Sequence, residues 1–144
     1  MKKMLLTSLL LLAGCGLSEK TDVMFECPSP SREMIATLYR VSTGERPSDQ
    51  KMKINLRPAA SAFDDDMFSF AFRHGYDAVI RWQSDKQVTV EFPEDSEITK
   101  QEMVVFGTSQ TFSSNDQIRM DYQEKPSKHG HFMVEKRCLT KTPE

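Results

Sequence analysis

Side chains able to do chemistry are sparse in this chain of 144 residues. They are three cysteines (Cys15, Cys27, Cys138), three histidines (His74, His129, His131) and one run of adjacent acids, Asp64-Asp65-Asp66. His129 and His131 would share a face on an extended strand, and two imidazoles with a carboxylate can hold Zn²⁺ or Cu²⁺. The pair flanks Gly130 in a polar stretch, however, and no neighbouring cysteine or carboxylate completes a ligand pattern, so no metal is assigned. The acidic triplet could attract Ca²⁺, yet adjacent carboxylates on an extended chain point to opposite sides, and no glycine supplies the turn of an EF-hand loop. A solvated acidic loop is the expectation there. No G-x-S-x-G elbow is present to hold a serine nucleophile. An acid pair is recognised by its separation in space, which the sequence alone does not supply. The chain reads as non-enzymatic, with no catalytic residue and no cofactor.

Composition narrows the partners. Nineteen basic residues face 21 acidic ones for a net charge of -2, without the cationic excess that neutralises a phosphate backbone, so nucleic acid is not an expected partner. A mean hydropathy of -0.51, 38% hydrophobic residues and nine phenylalanines describe one globular domain, not a polytopic membrane protein or a low-complexity chain.

The N-terminus is the most informative segment. Lys2 and Lys3 precede an uncharged stretch, Met4 to Ala13, that contains six leucines. As a helix it would span only about 15 Å, against roughly 30 Å of bilayer hydrocarbon, so it reads as a signal peptide rather than a permanent anchor. The run closes in Leu12-Ala13-Gly14-Cys15, which resembles the lipobox of bacterial lipoproteins. The resemblance implies removal of residues 1–14 and acylation of Cys15, with each buried methylene adding about 0.8 kcal/mol of membrane affinity. Gly16 stands where an aspartate often retains such proteins in the inner membrane. The expected location is therefore the outer membrane, anchored by lipid and facing the periplasm.

In that compartment disulfides form and persist, and Cys27 and Cys138 remain, one near each end of the mature chain. A bond between them is the expectation, with free buried thiols or half of a metal site as the alternatives. It would clasp the first and last strands and stabilise the fold by roughly 4 to 5 kcal/mol on chain-entropy grounds.

The elements that must position these residues read as strands. Met34 to Val41 is rich in β-branched and aromatic residues. Met52, Ile54 and Leu56 alternate with Lys51, Lys53, Asn55 and Arg57, the pattern of a strand with one wet face. Phe68, Phe70 and Phe72, then Ala78, Ile80 and Trp82, then Val88, Val90 and Phe92 share one phase and suggest a three-strand meander. Ser42 to Gln50 reads as a loop, residues 59 to 66 as a helical turn and Pro93 to Glu102 as an acidic connection. Met103 to Phe106 is a short apolar run, Ile118, Met120 and Tyr122 mark another strand, and Phe132 to Cys138 a last one. The fold class is all-β: an antiparallel sandwich or meander of about seven short strands with at most one short helix. The expected organisation is a signal peptide over 1–14, a lipidated tether over 15–26 and a single β domain over 27–140.

Two further likenesses set expectations. Cys27-Pro28-Ser29-Pro30 with Met34-Ile35-Ala36-Thr37-Leu38-Tyr39-Arg40, and Arg73-His74-Gly75-Tyr76-Asp77-Ala78-Val79-Ile80-Arg81-Trp82, resemble short uncharacterised bacterial envelope lipoproteins across most of residues 27–122. Their pattern is a cysteine and Ser-Pro-Asp-Gly turn before an Ala-x-x-Tyr-Arg strand, then a strand ending in Trp. Ser31-Arg32 replaces the Asp-Gly here, and no activity is implied. In size, lipobox and terminal disulfide the chain is also similar to periplasmic lysozyme inhibitors of the lipoprotein type. The expected role is a lipid-anchored envelope protein whose β domain meets another envelope protein or a cell-wall component, with muramidase inhibition as the alternative.

Overall fold

The computed structural model describes residues 18–106 and 117–142. Ten strands form there, most of them on alternating apolar residues: β1 (Lys20–Pro28), β2 (Met34–Ser42), β3 (Gln50–Pro58), β4 (Phe70–Arg73), β5 (Val79–Ser84), β6 (Gln87–Pro93), β7 (Glu97–Gln101), β8 (Val104–Phe106), β9 (Gln117–Lys125) and β10 (Cys138–Thr140). A 3-10 turn at Pro47–Asp49 is the one helical element among the described residues, within the loop expected at 42–50. The chain is thus all-β, in two five-stranded sheets ordered β1-β2-β3-β4-β7 and β10-β5-β6-β9-β8.

The sheets face each other across one apolar core. Ala36 and Leu38 of β2, Met52 and Ile54 of β3, and Phe70 and Phe72 of β4 point inward from the first sheet. Ile80 and Trp82, Val88 and Val90, and Met120 answer from the second. Phe70 sits at the aromatic centre, with ring centroids 5.4 Å from Phe72, 5.3 Å from Phe92 and 4.6 Å from Tyr122, distances at which tilted rings attract. Trp82 is fully buried, and its Nε1–H donates to the Cys27 carbonyl at 2.9 Å, satisfying the one polar atom of the indole.

Several expectations are corrected by how the strands pair. The three segments expected to form a meander share a facing direction, except at Phe68, which precedes β4 and sets its ring against Lys53 and Lys100 on the outer face, but they do not share a sheet: β4 pairs with β3 and β7, whereas β5 and β6 form a hairpin in the other sheet. The chain crosses between the layers at His74–Ala78, helped by a positive φ of 62° at His74. The second sheet is mixed rather than antiparallel, because β9 runs parallel to β6 and β10 parallel to β5. The acidic connection contains β7, whose exposed charged residues hid it; such side chains suit an edge strand. The tether expected over 15–26 contains most of β1, where a bulge between Val23 and Phe25 breaks the period-two pattern. The helical turn expected over 59–66 does not form, and the last strand begins only at Cys138, residues 132–137 being irregular apart from their bonds to the crossover.

Both open sides of the sandwich are closed. On one, a disulfide joins Cys27 of β1 to Cys138 of β10, with Cα atoms 5.3 Å apart, and the Thr140 hydroxyl donates to the Pro28 carbonyl at 2.9 Å. On the other, Glu102 and Met103 carry the chain directly from β7 into β8, where Glu102 N–H donates to Ser69 O and Met120 N–H to Met103 O, each at 2.9 Å. Among the described residues no helix is long and apolar enough to cross a membrane.

Candidate interaction surface

The outer face of the first sheet is where the sequence pattern and the structure part most. A wet face would leave the outward residues of β2 and β3 exposed, yet Thr37, Tyr39, Asn55 and Arg57 are all buried. The connection from Pro58 to Ser69 covers them as a strap. A buried guanidinium must be fully paired. Arg57 Nη1–H donates to Thr37 Oγ1 at 2.6 Å and Asn55 Oδ1 at 3.1 Å, Nη2–H donates to Glu26 Oε1 at 2.7 Å, and Nε–H donates to the Ser61 carbonyl at 3.3 Å. Phe63 covers it with its ring centroid 5.4 Å from the guanidinium carbon and packs edge-on against Tyr39 at 5.0 Å. Asn55 Nδ2–H then holds the far end of the strap by donating to the Met67 carbonyl at 2.6 Å.

The strap turns at the acidic triplet. Asp64 accepts from the Asp66 N–H through its side chain at 3.0 Å and from the Met67 N–H through its carbonyl at 3.2 Å. This turn, not an extended chain, brings one oxygen of each of Asp64, Asp65 and Asp66 within 4.8 Å of the others, which corrects the expectation that they diverge. Asp65 is the docked member: its carboxylate accepts from Thr21 Oγ1 at 2.6 Å and its carbonyl from the Tyr39 hydroxyl at 2.9 Å. Burial first, then the charges of Asp65, Asp64 and Asp66, push the Tyr39 phenol well above its ordinary 10.0, so it stays a neutral donor.

Beyond the strap the same face changes sign. Lys53 and Lys100 set their ammonium groups 4.1 and 4.6 Å from the centroid of the Phe68 ring. Beside them lies a cleft with about 180 Å³ of open space, bordered by Lys51, Lys53, Arg73, Thr43, Ser48 and Asp49 among others. One face thus presents a fixed acidic turn and a cationic cleft, an arrangement suited to recognising a partner of patterned charge.

The residues singled out by sequence are dispersed. Cys15 lies outside the described residues. Cys27 and Cys138 form the disulfide. His129 and His131 flank Gly130 in a tight turn with φ of 54° at His129 and 78° at Gly130, and the His131 ring stacks on Tyr76 at 5.4 Å. His74 Nε2 is 3.3 Å from Glu97. Among the described residues no histidine belongs to a group of three ligating side chains; the acidic triplet is such a group. Sequence reasoning missed Asp77, a buried carboxylate that pairs with Arg137 and accepts from Ala78 N–H at 3.0 Å and Phe132 N–H at 3.2 Å, fixing the C-terminal segment across the end of the sandwich. An acid beside an apolar strand start, followed much later by an arginine before the last cysteine, was its signal. Comparison with protein-family models, with curated proteins and with solved structures finds no match for this chain.

Proposed function

We propose that the chain is a non-enzymatic, lipid-anchored protein of the bacterial outer membrane, facing the periplasm, whose β domain binds another envelope protein or a cell-wall component. The observation that carries the reading is Leu12-Ala13-Gly14-Cys15 closing a short leucine-rich run. The disulfide supports it, since such bonds persist in oxidising compartments. Strand β1 begins at Lys20, five positions after Cys15, so an anchored domain would stand at most about 18 Å from its lipid. The outer face of the first sheet, with its rigid strap and split charge, is the surface assigned to the partner.

Intact-mass spectrometry of the protein from its host's membranes tests the anchor, together with crosslinking in those membranes. A chain beginning at Cys15 with added acyl mass is the expected result, and crosslinks should fall on the strap and the cleft. An unacylated chain that retains residues 1–14 would overturn the reading. Inhibition of a muramidase by the purified protein would instead favour the inhibitor class.

A further inference from the structure

The cationic cleft carries more charge of one sign than its own surroundings balance. Lys51 and Lys53 project from the same face of β3, two positions apart. The β3–β4 register pairs Met52 with Phe72 and Lys53 with Ala71, and one further step sets Lys51 opposite Arg73. Like charges facing each other across strands are destabilising. Of the two acids at the cleft, Asp49 is already matched: Arg46 Nε and Nη2 donate to its oxygens at 3.1 and 3.2 Å, a contact that holds its carboxyl below the ordinary 3.8. The other, Glu19, lies at its N-terminal rim. Arg73 gives Nη2–H to Glu97 at 3.2 Å, while its Nε is buried and has no hydrogen-bond partner. Among the described residues neither Lys51 nor Lys53 is ion-paired.

We infer that this cleft binds an oxyanion of the phosphate class. A tetrahedral oxyanion relieves the Lys51–Arg73 repulsion by adding a counter-charge between them, and can take a hydrogen bond from the Ser48 hydroxyl that borders the same space, the Thr43 hydroxyl being engaged with the Asp49 carbonyl at 3.3 Å. The anion could be free phosphate or the phosphate of a lipid headgroup. Glu19 borders the cleft four positions after Cys15, so headgroups would be its nearest source; that choice of source, unlike the cleft itself, rests on the anchored reading.

The test uses the full chain in neutral detergent micelles. Equilibrium dialysis measures binding of radiolabelled orthophosphate, and a thermal shift measures the effect of doping the micelles with phosphatidylglycerol. The variant K51Q/K53Q should weaken binding roughly tenfold or more, since charge-assisted contacts are the strong ones, while the control K86Q/K141Q leaves it unchanged. A cooperative thermal unfolding transition shows that each variant has folded, and R73Q provides a second cleft variant. Binding of orthophosphate alone upholds the inference with a soluble ligand, and a response to phosphatidylglycerol alone upholds it with a lipid one. Binding of neither probe, or equal binding by the wild type and both cleft variants, overturns it. The orthophosphate arm does not depend on acylation of Cys15, so it can succeed where the anchored reading fails.

Discussion

The first sheet buries residues on both of its faces, but by different chemistry. Inward, Leu38, Ile54 and Phe70 meet apolar partners in any orientation that fills space. Outward, Thr37, Asn55 and Arg57 are buried because Arg57 and Asn55 donate to acceptors on this face, on Glu26 and on the strap. The difference teaches that burial on the inner face follows from transfer out of water, while burial on the outer face is conditional on a complete hydrogen-bond set. Loss of volume should hurt the first, and loss of one partner the second.

The largest break should come from inside. Phe70→Ala removes the ring at the aromatic centre and is expected to cost about 3–5 kcal/mol of stability in urea unfolding. A loss below about 1 kcal/mol would mean the sheets pack less tightly than the ring geometry indicates. On the outer face Arg57→Met keeps the length and removes the donors, leaving Thr37 and Asn55 oxygens buried without a partner, for a loss of about 1–3 kcal/mol. Arg57→Lys should fail to restore it, because one ammonium cannot reproduce the planar fork. Equal stability of the R57K variant and the wild-type protein in the same unfolding assay would contradict the account of the strap.

Acid should separate the polar contacts from the apolar interior next. Asp22, held low first by its hydrogen bond to Arg40, Asp49, held low by Arg46, and Asp85, held low by the Ser31 N–H, all have carboxyls below the ordinary 3.8 in the fold. Groups depressed in this way contribute fully above 3.8 and lose that contribution as pH falls through their folded values. The Tm should therefore hold steady down to that region and decline below it, with a shallower decline in D85N. The apolar interior contributes no such dependence. The smallest effect is expected at the cleft: K51Q in phosphate-free buffer should raise Tm slightly by relieving the facing Arg73, whereas an unchanged or lower Tm would argue that the two charges do not meet.

The inner face was legible because period-two alternation of bulky residues has one meaning on a strand, and Phe70, Phe72, Ile80, Trp82, Val88, Val90 and Phe92 all point where that alternation puts them. Alternation fixes which side a residue faces but not which strand lies beside it, so the passage of the chain between sheets at His74–Ala78 and the parallel pairing of β9 with β6 went unread. The cysteine pair was legible from its position near the two ends of the domain, together with the oxidising compartment expected from the leucine-rich N-terminal run. The strap was not, because polar residues default to the surface in any sequence reading. The burial of Arg57 depends on Glu26, Ser61 and Phe63, which only the fold assembles.

The disulfide also sets how the domain answers a pull. Strand β1 lies at the edge of its sheet and leads from the N-terminal end of the domain, so tension applied there would peel it from β2 one pair at a time, starting at Lys20. The unzipping would halt at Cys27, where a covalent bond hands the load to β10 and thence to the second sheet. Reduced protein would lack that stop, and a single-molecule trace should show it as the loss of a short, reversible first extension before rupture.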